Sequence, residues 1–142
     1  MNRELCQLQA ETVGAHGMTD RVVVVCDDLL NQQQHVSAAD VVVLNNVFQF
    51  FLAPAEQVLC WTFLRRHAKP GATLLTSPSL LQLTEHLELS FHIDGWVQKI
   101  DIGANIAKYA GANQELFDDC SKLHLYKVHV EHGNDEAMMH SC

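Results

Sequence analysis

An α/β fold, with a mostly parallel sheet and helices on both faces, is the architecture this sequence predicts. Three observations carry it. The stretches 22–26, 41–44 and 72–76 are apolar almost without a break, as strands buried on both faces are. Segments with helical periodicity separate them. Each stretch also stops on polar residues: Asp27-Asp28, Asn45-Asn46 and Thr76-Ser77. In an open parallel sheet such residues gather beyond the carboxyl ends of the strands, where ligands bind. A chain of 142 residues, 48% hydrophobic, suits one domain with a real core.

The elements follow in order. Residues 3–14 predict a helix with Leu5, Leu8, Thr12 and Val13 near one face, stopped by Gly14 and Gly17. Residues 22–26 predict the first buried strand. The Gln-rich stretch 29–38 reads as a short helix or loop. Val41 to Leu44 is the second strand. Pro54 suits the first turn of a helix that runs to His67 and is broken by Lys69-Pro70-Gly71. Ala72 to Thr76 is the third strand. Residues 79–89 are compatible with a helix, 90–102 with one or two strands around Asp94-Gly95, and 113–120 with a short helix. Leu123 to Val130 alternates as a strand does, and the polar end from Glu131 reads as frayed.

Composition excludes several classes. With 17 acidic against 9 basic residues the net charge is −8, so the chain lacks the basic face of a direct nucleic-acid binder or of a protein held to an anionic membrane. No apolar run is long enough to span a bilayer, and the polar start MNRELCQLQAE does not read as a signal peptide. The five cysteines, Cys6, Cys26, Cys60, Cys120 and Cys142, show no C-x-x-C pair. They read as free thiols in a reducing compartment. His124, His129, His132 and His140 match no metal-ligand spacing, so no metal site is expected.

The order of "DRVVVVCDDLL", "ADVVVLNNVF", the helix from Pro54 and "AKPGATLLTS" resembles the C-terminal two thirds of class I S-adenosylmethionine-dependent methyltransferases. The resemblance implies a Rossmann-like, methyltransferase-type sheet. Asn45-Asn46 followed by Phe48 is most similar to the Dot-type histone lysine methyltransferases. There a V-N-N-F stretch follows a G-D-F-L stretch comparable to Asp27-Asp28-Leu29-Leu30. S-adenosylmethionine is then the implied cofactor, with Asp27, Asp28, Leu29 and Asn45 binding it. Asp28 would accept from the adenine amino group, Leu29 would pack on the ring, and Asn45 would hold the methionine end. Asn45, Asn46 and Phe48 would form the catalytic methyl-transfer channel, for a protein substrate. The chemistry is in-line attack on a sulfonium methyl, which depends on positioning. The implied location is cytoplasmic, or nuclear for a histone-type enzyme.

The sequence also departs from the family. Its seven glycines contain no G-x-G, so the glycine-rich cofactor loop is missing. The acid that binds the ribose hydroxyls is missing too. The resemblance thus implies a single incomplete domain over residues 1–142, beginning after that acid and lacking the first two strands. Residues 22–26 would then either slide beside 41–44 or leave an edge open for a homodimer. Two functions stay open. One is a domain derived from a protein methyltransferase, inactive alone and active if completed by the missing part. The other is a noncatalytic scaffold or protein-interaction domain. Simpler roles stand beside the catalytic ones: Asp27-Asp28 as turn residues, the two amides as loop ligands, Phe48 and Cys60 as core.

Overall fold

The computed structural model describes residues 2–129, so Val130, His132, His140 and Cys142 lie outside the described residues. The chain divides into two compact units, one ending at Gln33 and one starting at Gln34.

The first unit opens with α1 (Arg3–Ala15). Asn2 caps it: its Oδ1 accepts from the Glu4 and Leu5 amides at 3.1 and 3.2 Å. No residue of α1 is buried. The chain then reverses. The Gly17 amide donates to Gly14, Met18 to Val13, and Arg21 and Val22 both to Met18. Gly17 takes a φ of 62°, the left-handed conformation that suits glycine at a helix end.

The predicted strand at 22–26 is the first correction. These residues join no sheet. Val22 and Val24 are half-buried, while Val23 and Val25 are 78% and 44% exposed and Cys26 is exposed. A β-branched run supplies the propensity for a strand, but a strand exists only with a ladder partner, and context decides. Asp28 then caps a 3₁₀ turn, Leu29–Asn31.

The second unit begins within α2 (Gln33–Ala38) and holds β1 (Val41–Asn45), α3 (Pro54–His67), β2 (Thr73–Ser77), α4 (Leu80–Thr84), β3 (Val97–Ile100), α5 (Gly103–Ala110), α6 (Gln114–Cys120) and β4 (His124–Val128). The sheet has four strands in the order β1-β2-β4-β3. β1 pairs parallel with β2, while β4 runs antiparallel to both β2 and β3. The expected mostly parallel sheet is therefore a mixed one. Three strands do share a direction, but the reversed β4 lies between β2 and β3, leaving β1–β2 as the parallel pair.

One face of this sheet is the core. Leu44, Leu74, Thr76, Tyr126, Val97 and Val128 are buried there with Cys60, Trp61 and Leu64 of α3 and Leu80, Leu83 and Thr84 of α4. Phe48 meets Trp61 edge-on at 5.2 Å, and Phe91 meets Trp96 at 5.8 Å. The other face is half open rather than covered: Val41 and Val43 are 56% and 62% exposed. α3 starts at Pro54, where Glu56 Oε2 accepts from the Ala53 amide at 2.8 Å. It ends before the Lys69-Pro70-Gly71 turn, where Gly71 sits at a φ of 81° and donates its amide to Val128.

Candidate functional site

The residues singled out by sequence fall in both units. In the first unit the two acids are engaged locally. Asp27 Oδ1 accepts from the Asp28 amide at 2.8 Å and from Asn31 Nδ2 at 3.0 Å, and Oδ2 accepts from Gln32 Nε2 at 2.7 Å. These donors, Asn31 first, hold the Asp27 carboxyl below its ordinary pKa. Asp28 Oδ1 accepts from the Leu30 amide at 3.0 Å and so caps the turn that contains Leu29. Both carboxylates thus organise the turn that follows them.

In the second unit the parallel pair brings polar ends together. Asn45 pairs in register with Ser77 at the carboxyl ends of β1 and β2. Asn45 is exposed. Asn46, the next residue, leaves the strand with a φ of 49°, and its Oδ1 is buried without a hydrogen-bond partner among the described residues. Asparagine tolerates this left-handed conformation better than most residues, and an unpaired buried acceptor costs about 1–3 kcal/mol. Strain plus an orphan acceptor at the end of a parallel strand is the most pronounced functional mark in this unit. Phe48 is buried at 7% exposure, with its ring against Trp61. Its neighbours Phe50 and Phe51 are 74% and 81% exposed.

The residues present offer S-adenosylmethionine no glycine-rich loop: the glycines of the sequence contain no G-x-G. The Asp28 oxygen that caps Leu30 is already engaged.

The structure adds residues that sequence reasoning missed. Gln57 is buried at 3% exposure. Its Nε2 donates to the Leu52 carbonyl at 2.9 Å, and its Oε1 lies 3.2 Å from His86 Nε2, tying α3 to the loop before it and to the segment after α4. An apolar-helix glutamine was its only signal. Tyr126 Oη accepts from the Leu80 amide at 3.1 Å. Nearby, a half-open hollow of about 620 Å³ is floored by Leu80, Phe91, Val97 and Tyr126, with Glu85 and Lys99 on its rim. Neither Asn45 nor Asn46 lines it.

Lys69 clamps the turn after α3 to the start of β1: its Nζ donates to Asp40 and, at 3.3 Å, to the Ala38 carbonyl. This contact lowers the Asp40 pKa. His124 is also lowered, by desolvation first and the Lys99 charge second. Among the described residues no cluster of histidine, cysteine or acid could hold a metal ion, and no helix is long and apolar enough to cross a membrane.

No family model matches this chain, and neither a curated protein nor a solved structure is significantly similar to it.

Proposed function

We propose that this chain is a methyltransferase-like domain serving as a noncatalytic scaffold, descended from an S-adenosylmethionine-dependent protein methyltransferase and inactive alone. The observation that carries the kinship is the end of β1. Asn45-Asn46 closes a parallel strand, beside Ser77, with Asn46 strained and its acceptor unpaired. A reversed last strand entering between β2 and β3 is compatible with the strand-rich end of such a sheet. What favours a scaffold over an enzyme is a sequence without a G-x-G loop and the local engagement of Asp27 and Asp28.

Calorimetric titration with S-adenosylhomocysteine tests this. The scaffold reading expects no saturable heat at millimolar ligand. Saturable binding that Asn45→Ala abolishes would restore the enzyme reading. The partner side of the proposal is a homodimer through the free edge of β1, which the exposed Val41 and Val43 favour. A two-fold axis at that edge would pair β1 with its copy in antiparallel fashion. Light scattering at micromolar concentration should give twice the chain mass, and Val43→Lys should return it to one chain; a monomeric parent protein removes the dimer.

A further inference from the structure

We propose that the hollow beside α4 and the β3–β4 pair binds a small monocarboxylic acid with an apolar body, its carboxylate held by Lys99 and Tyr126. The inference is independent of the methyltransferase reading.

The strand register sets the two donors side by side. Lys99 of β3 lies opposite Tyr126 of β4. Just before them the His129 amide donates to the Trp96 carbonyl at 2.9 Å, so Trp96 and His129 form a hydrogen-bonded pair. Bonded and non-bonded pairs alternate along an antiparallel ladder. Lys99 and Tyr126 are therefore a narrow, non-bonded pair, with Cα atoms about 4.5 Å apart and side chains on one face. Both side chains line the hollow.

Both also have hydrogens to give. Tyr126 is buried, and its Oη accepts the Leu80 amide at 3.1 Å. A phenol donates as well as accepts, and no acceptor for its own hydrogen stands among the described residues. A buried donor of this kind calls for a partner, and the hollow is where one can enter. Lys99 is exposed and makes no ion pair among the described residues. An ammonium beside a phenol hydrogen suits the two oxygens of a carboxylate, through charge-assisted hydrogen bonds.

The rest of the lining selects the body and the charge. Leu87, Leu89 and Ile93 are half-buried and give the hollow apolar walls. Its volume of about 620 Å³ is that of a small-molecule site. Glu85 and Asp94 line it too, and neither pairs with Lys99. Their charges repel a second anionic group, which discriminates against dicarboxylates and phosphates. The Arg65 guanidinium, 4.9 Å from the centre of the Phe91 ring, adds a cation beside the wall that Phe91 forms.

The test titrates the full chain with phenylbutyrate, phenylbutanol and phenylbutylamine, which share one body and differ in the head group. Calorimetry and amide NMR follow binding. Phenylbutyrate should saturate in the millimolar range, with shifted amides that include Leu80, Val97 and Tyr126. The alcohol should bind about tenfold more weakly, and the amine no better than the alcohol. Lys99→Met should bring phenylbutyrate down to the level of the alcohol, and Glu85→Gln should tighten it. Both positions are exposed, and unchanged urea midpoints verify that the variants fold. Asn45 does not line the hollow, so Asn45→Ala should leave phenylbutyrate binding as it was. Failure here is thereby separated from the S-adenosylhomocysteine result. The proposal is overturned by an amine or alcohol that binds as well as the acid. Acid binding untouched by Lys99→Met overturns it too, as does an acid that never saturates at millimolar concentration.

Discussion

Asn46 and Asp40 show how much one residue carries here. Asn46 sits at a φ of 49° just beyond β1, where a β-branched side chain clashes with its own backbone. Asn46→Val should therefore destabilise the fold by about 1–3 kcal/mol, while Asn46→Gly is tolerated; urea midpoints at unchanged slope measure both. Asp40 is held below its ordinary pKa by Lys69. A depressed carboxylate stabilises the fold above the unfolded value of about 3.9 and loses that contribution as pH falls through the lowered value. Replacing Lys69 with Met should move the Asp40 midpoint up to the ordinary range, as followed by carbon NMR. At this scale the sequence was readable where flanks were informative. Two amides between apolar neighbours announced a strand end. Asp27 and Asp28 were not readable, because a capping acid and a ligand-binding acid look alike until their hydrogen bonds are seen.

Among the elements, α3 was legible to its ends, because Pro54 and the Lys69-Pro70-Gly71 turn punctuate it. β1 and β2 followed from their apolar runs. Residues 22–26 had the same composition and formed no strand, so composition alone cannot separate a paired strand from an extended segment. The short α4 depends on neighbours. Ser79 and Gln82 cap one another, and Tyr126 Oη accepts the Leu80 amide across the core. Tyr126→Phe strands that buried N–H and should cost about 1–3 kcal/mol, read from the urea midpoint. The Tyr126 aromatic signal drops out of near-ultraviolet dichroism as well, but far-ultraviolet dichroism should keep the sheet.

On the scale of the whole molecule, the buried residues begin at Val36, so the core belongs to the second unit. A chain starting at Gln34 should keep a cooperative urea transition with a midpoint close to that of the full chain. Loss of cooperativity would mean that residues 2–33 are needed to complete the fold. The α/β class was readable from alternating helix and strand periods. The mixed character was not, because the sense of the last strand depends on how α5 and α6 lead into β4. The order β1-β2-β4-β3 has a consequence for biosynthesis. On a ribosome β3 would emerge with no neighbour to hold it, since the strand that joins it to β2 is made last. The nascent sheet stays a two-strand stub until residues 124–128 have left the exit tunnel. A stall shortly before that point would leave Val97 and Ile100 open to chaperones, whereas a stall after His129 has emerged would not.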